Sequence, residues 1–119
     1  MSTFAKKILS GSTDGRPILV AATASAGTVI HTGPTVATTL DEVWLYASNP
    51  SSAQRTLTIQ WGGTTSPNDH FVLFLPAQSG LIVIAPGLII KGNATPLVVR
   101  AFCDSANQVN ISGYVNEIA

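Results

Sequence analysis

The sequence predicts an all-β protein: a single β-sandwich or jelly-roll-like domain of about nine short antiparallel strands, preceded by an N-terminal arm. Three observations lead there. Ten Gly and seven Pro fall between short apolar runs, the punctuation of small β domains. No stretch of ten or more residues carries a helical apolar stripe. The apolar runs recur every eight to twelve residues, the spacing of sandwiches and small barrels.

The elements follow in order. Met1 to Thr13 carries no strand pattern and reads as an arm; residues 14–119 form the domain. After the Asp14-Gly15 turn, Ile18 to Thr23 reads as a strand, and Gly27 to Thr32 as another that ends at Gly33-Pro34. Leu40 to Ser48 is a third, closed by Asn49-Pro50. Its Trp44 and Tyr46 share one face, and Val43, Leu45 and Ala47 share the other. Arg55 to Trp61 alternates cleanly: Leu57, Ile59 and Trp61 point to the core, and Thr56, Thr58 and Gln60 form a solvated face. Phe71 to Leu75 is apolar on both faces and is expected at the centre of a sheet. Leu81 to Ala85 and Leu88 to Lys91 flank Pro86-Gly87, which fits a type II turn. Leu97 to Asp104 and Gln108 to Ile118 are the last two strands. Gly113 in the final one marks a bulge or a close backbone approach.

Composition narrows the function. Only 10% of the 119 residues are charged, and the net charge is zero. A nucleic-acid binder needs a basic surplus to neutralise phosphate, so no nucleic-acid partner is expected. Thirteen Thr and eleven Ser supply the polarity instead. Near-zero charge favours association, which suits a surface covered by copies of itself or by another protein; the alternative reading is that Ser, Thr and Asn solvate the surface well enough on their own. Cys103 is the single cysteine, so a disulfide framework is ruled out. The most apolar stretch, Gly80 to Lys91, is too short for a membrane helix and is broken by Pro86-Gly87. Lys6-Lys7 is followed only by Ile8 and Leu9 before Ser10-Gly11, which is no signal-peptide core. The expectation is a soluble protein made in the cytoplasm, with no membrane partner.

Catalytic groups are sparse. His31, His70 and Cys103 could be drawn into a Cys-His-Asp set with Asp69 or Asp104, but Cys103 shares phase with Leu97, Val99 and Ala101 and reads as a core residue. The adjacent acids Asp41 and Glu42 point to opposite faces of a strand. No C-x-x-C, H-x-H or D-x-D spacing is present, so no metal or cofactor is expected. Among the aromatics, Trp61 is in phase with the core, whereas Trp44 and Tyr46 are candidates for an interface or a second core face. In the arm, Phe4, Lys6, Lys7, Ile8 and Leu9 are the candidate contacts to a partner or to a second subunit.

The C-terminal third carries a resemblance. The segments Leu75-Pro-Ala-Gln-Ser-Gly-Leu-Ile-Val-Ile-Ala-Pro-Gly-Leu, Lys91-Gly-Asn, Val98-Val-Arg-Ala-Phe-Cys-Asp-Ser-Ala-Asn and Ile111-Ser-Gly-Tyr-Val-Asn-Glu-Ile resemble small virion proteins of tailed bacteriophages. They fall within a span of about 45 of the 119 residues. The resemblance implies a head decoration (cement) protein: a compact β fold, often a homotrimer, that binds the major capsid protein on the capsid exterior, with an N-terminal arm that helps in docking. It also implies no enzymatic activity. The other reading in the same class is a tail, fibre or head-tail accessory module that binds a receptor or glycan, with Trp44 or Tyr46 exposed over a shallow groove. Limited proteolysis is expected to cut residues 1–13 in the free protein.

Overall fold

Leu57 and Ile59 are almost wholly buried, and the two-residue period that predicted this organises the whole chain into strands. The computed structural model describes residues 2–119. Nine strands run as β1 (Phe4–Ile8), β2 (Ile18–Leu19), β3 (Thr28–Thr32), β4 (Leu40–Asn49), β5 (Arg55–Trp61), β6 (His70–Leu75), β7 (Ser79–Lys91), β8 (Val98–Cys103) and β9 (Asn110–Ile118). They build two antiparallel sheets that face each other. The first has the order β1-β9-β4-β7, with β2 also pairing β9; the second has the order β3-β8-β5-β6.

The pairing is nested. β5 pairs β6, β4 pairs β7, β3 pairs β8, and β2 pairs β9. That is one long hairpin rolled across two sheets, the jelly-roll arrangement of a β-sandwich. The core lies between the layers. From the first sheet come Val43, Leu45, Ala47, Ile111 and Val115, and from the second Ile30, Leu57, Ile59, Val99, Ala101 and Cys103. Cys103 thus packs as a small apolar residue in phase with Val99 and Ala101, as its spacing predicts.

Asn49 closes the β4 end of the core. It is fully buried, so every polar atom of its amide needs a partner. Its Nδ2 donates to the carbonyls of Ala53 (2.9 Å), Pro76 (3.0 Å) and Leu75 (3.1 Å). Its Oδ1 accepts from the Ser51 backbone N–H (3.1 Å) and hydroxyl (2.6 Å). One side chain therefore ties the β4–β5 turn to the β6–β7 crossover between the sheets.

Four expectations change. Phe4–Ile8 form a strand, although the arm carries no strand pattern: all five residues are exposed, so neither face of β1 meets the core and no alternation is imposed on it. Pro86-Gly87 is not a turn. It sits inside the thirteen-residue β7 as a bulge, where Val43 pairs Leu88 and Trp44 pairs Pro86, and Gly87 takes a φ of 77°. β6 is an edge strand rather than a central one, and Phe71, Val72 and Phe74 stay exposed. The Thr/Gln face of β5 is not solvated. Thr58 and Gln60 are buried, and the chain before β3 folds over Gln60: its Oε1 accepts from the Gly27 N–H (2.8 Å), and its Nε2 donates to Ser25 Oγ (2.9 Å).

Candidate interaction surface

Alternation along β4 fixes the outer face of the first sheet. Val43, Leu45 and Ala47 turn fully inward, so Glu42, Trp44 and Tyr46 turn outward and are half-buried. The register then aligns neighbours on the same face. Ile8 of β1 pairs Tyr114 of β9, Tyr114 pairs Trp44, and Trp44 pairs Pro86 of β7. The result is an apolar and aromatic row that crosses all four strands.

The row is ordered by contacts within it. Trp44 and Tyr114 stack with ring centroids 6.2 Å apart and planes 9° apart. The Trp44 indole N–H donates to Glu42 Oε1 at 2.8 Å, which satisfies its polar edge. Lys6 Nζ lies 4.9 Å from the centroid of the Tyr114 ring, a cation–π distance. Two glycines make room. A Cβ at Gly87 would stand 3.0 Å from the Trp44 ring, and a Cβ at Gly113 (φ 155°) would collide with the Trp44 carbonyl oxygen. Gly113 is therefore the close backbone approach that its place in a strand predicted. Around the row, Phe4, Leu81, Val83 and Ile89 add exposed apolar surface.

Five of the seven sequence candidates converge here: Phe4, Lys6, Ile8, Trp44 and Tyr46. The other two do not. Leu9 is 1% exposed and belongs to the core. Lys7, one residue out of phase with Lys6, turns to the opposite side and pairs with Glu117 Oε2 at 2.7 Å. Tyr114 is the member of the row that the sequence reading did not single out. Its position opposite Trp44 depends on the β4–β9 register, which links residues seventy positions apart.

A second feature lies beside the β1 end of the row. A groove of about 480 Å³ is lined by Lys7, Ser10, His31, Thr35, Asp41 and Glu117, among others. His31 and Asp41 are both buried, with Nε2 and Oδ2 2.7 Å apart. The Ser10 N–H donates to His31 Nδ1 at 3.1 Å, so the ring proton sits on Nε2 and is donated to Asp41. The second carboxylate oxygen of Asp41, Oδ1, is buried without a partner.

The remaining reactive groups lie apart. His70 Nε2 accepts from Gln60 Nε2 at 3.2 Å, and Cys103 Sγ faces Asp104 Oδ1 at 3.5 Å. Burial pushes the Cys103 thiol up from its ordinary value, and Asp104 adds to that shift. Cys103 and the two histidines therefore sit in three separate hydrogen-bond sets. Among the described residues, no three His, Cys, Asp or Glu side chains come together as metal ligands would. The chain has no match among protein-family models, curated proteins or solved structures.

Proposed function

We propose that this protein is a structural component of a phage virion, a decoration protein without enzymatic activity. It is made in the host cytoplasm and binds the major capsid protein on the capsid exterior. The observation that supports this best is the apolar and aromatic row Ile8–Tyr114–Trp44–Pro86 that crosses the outer face of the first sheet. Such a face gains from being covered, because each apolar Å² removed from water contributes about 25 cal/mol. Aromatic anchors set in a rigid sheet are the residues that dominate protein interfaces. Contacts of this kind depend little on ionic strength, which suits a protein that must hold a shell closed in varied media. The jelly roll is also a common architecture in viral shells, which is support by analogy of fold alone.

Docking across a junction between capsid subunits adds buried area that must be re-exposed before the shell opens, and so stabilises it. In this reading the apolar β6 edge is covered by neighbouring copies in a closed ring of three. Neither nucleic acid nor membrane takes part.

The test is copy number followed by reconstitution. Mass spectrometry of purified particles should give this chain in near-stoichiometric ratio to the major capsid protein. Adding it back to stripped particles should raise their disruption temperature. A handful of copies per particle would move the chain to the tail or fibre, and absence from particles would end the virion reading.

A further inference from the structure

β1 is held weakly along its length and firmly at its base. All five of its residues are exposed; among the described residues its attachments are the ladder to β9, continued by the paired Thr3 and Ala119 backbone bonds, the surface pair Lys7–Glu117 and the Lys6–Tyr114 contact. Strands with so little burial open at low cost. The base is residues 9–11. Leu9 inserts into the core. The Gly11 N–H donates to the Ile30 carbonyl at 3.0 Å. The Thr32 N–H donates to Ser10 Oγ at 2.6 Å, and the Ser10 N–H donates to His31 Nδ1 at 3.1 Å. Three hydrogen bonds to β3 thus clasp the segment that follows β1.

One of the three depends on a proton. His31 Nδ1 can accept from Ser10 only while it carries no hydrogen. An imidazolium donates from both nitrogens and accepts from neither. Its Nδ1–H would then point at the Ser10 N–H, and the bond becomes a repulsive contact. The same proton acts oppositely on the other side of the ring. Nε2–H and Asp41 Oδ2, already 2.7 Å apart, become a full ion pair, and hydrogen bonds between charged groups are about twice as strong as neutral ones. The charged groups around the ring are Asp41 from β4, with Lys7 of β1 and Glu117 of β9 on the groove wall and bonded to each other. Protonation therefore tightens β3 against β4 while loosening residues 9–11 from β3.

We propose that His31 is a proton-operated latch for the N-terminal strand: neutral, it clasps the base of β1; protonated, it lets β1 open while the sandwich stays folded. Opening bares the outer edge of β9 and frees Phe4–Ile8 to pair elsewhere. The inference rests on the Ser10–His31–Asp41 geometry and holds whatever the protein docks to.

Lowering the pH is what adds the proton, so exchange is compared between pH 8 and pH 5. Hydrogen exchange of the residue 4–8 amides, corrected for intrinsic rates, should show opening about tenfold more frequent at pH 5 than at pH 8, the loss expected for one hydrogen bond turned unfavourable. The Val43 and Val115 amides should stay protected. Nitrogen-15 shifts of His31 should place the proton on Nε2 at pH 8, and the second proton should arrive in step with β1 opening. In His31→Gln, β1 opening should not respond to pH, and His70→Gln should respond like the natural protein. Four results would overturn the latch: a proton on Nδ1 at pH 8, titration of His31 without β1 opening, opening only with global unfolding, or a pH response that persists in His31→Gln. If His31→Gln does not fold, the shifts and exchange of the natural protein decide alone.

Discussion

The indole of Trp44 lies parallel to the ring of Tyr114 on the outer face of the first sheet, with planes 9° apart and centroids 6.2 Å apart. Neither ring is needed to fill the core, because Val43, Leu45 and Val115 beneath them are already fully buried. In the proposed function this stacked pair, which lies outside a complete core, is where the capsid protein docks. Trp44→Ala should therefore weaken binding to stripped particles at least tenfold, measured by co-sedimentation. The free protein should lose only about 1–2 kcal/mol of stability, since one half-buried ring and its stacking are removed. An unchanged affinity would move the docking site off this face.

Gly113 is the backbone condition for that pair. Its φ of 155° and the Trp44 carbonyl oxygen beside it leave no room for a side chain. Gly113→Ala must push β9 from β4 in the middle of their ladder. A loss of about 3 kcal/mol is expected from the strained backbone and the collision together, a fall in Tm on the order of 10 °C. Thermal denaturation followed by circular dichroism checks it. The ladder from Leu40–Ile118 to Ser48–Asn110 would be disturbed at its centre, so particle binding should fall as well.

The β6 edge carries a separate prediction. The other three edges each have a device that blocks pairing: β1 holds Lys6 and Lys7, β7 holds Pro86 and its bulges, and β3 is covered by residues 9–11. β6 has a regular six-residue register and no Asp, Glu, Lys, Arg or Pro, with Val72 and Phe74 exposed. In the proposed ring of three, Val72→Lys and Phe74→Lys should shift the protein from oligomer to monomer in light scattering. Each should change stability by no more than about 0.5 kcal/mol, as exposed positions do. A natural protein that is monomeric at high concentration would remove this edge from the assembly.

What could be read from the sequence was local. The faces of β4 and the core side of β5 follow from two-residue alternation, and Cys103 from its phase with Val99 and Ala101. What escaped depends on contacts far along the chain. Gln60 looks solvated because nothing in Arg55–Trp61 says that Ser25 and Gly27 cover it. Phe71–Leu75 looks central because composition reports apolarity, while only sheet order tells that one side is open. β1 has no signature because neither face is buried. The clasp around His31 joins three segments, with Ser10 and His31 twenty-one residues apart. Sequence could suggest that Trp44 and Tyr46 share a face with something, but the register was needed to add Tyr114, Ile8 and Pro86.

Gln60 offers a test of that long-range cover. It is fully buried on the outer side of β5, and its amide serves Gly27, Ser25 and His70 together. Gln60→Ala would leave the Gly27 N–H without its acceptor, and a buried donor left unpaired costs about 1–3 kcal/mol. Denaturant unfolding should show that loss. Hydrogen exchange should place it, with the Gly27 amide among the first to lose protection.

Cys103 tests the packing from the inside. Burial, with Asp104 beside the sulfur, raises its pKa, so the reactive thiolate is scarcer than in an exposed cysteine at the same pH. The sulfur also lies in a core position with no exposed surface. At pH 8 a thiol reagent should label the folded protein at the rate of its unfolding or local opening, orders of magnitude slower than in denaturant. Raising the reagent concentration should then cease to raise the rate. Cys103→Ser should destabilise the fold by about 1–3 kcal/mol, because a hydroxyl replaces the sulfur on the core face shared with Val99 and Ala101, with Asp104 Oδ1 beside it as acceptor. Fast labelling at neutral pH would show that β8 opens far more often than a strand with a fully buried inner face should.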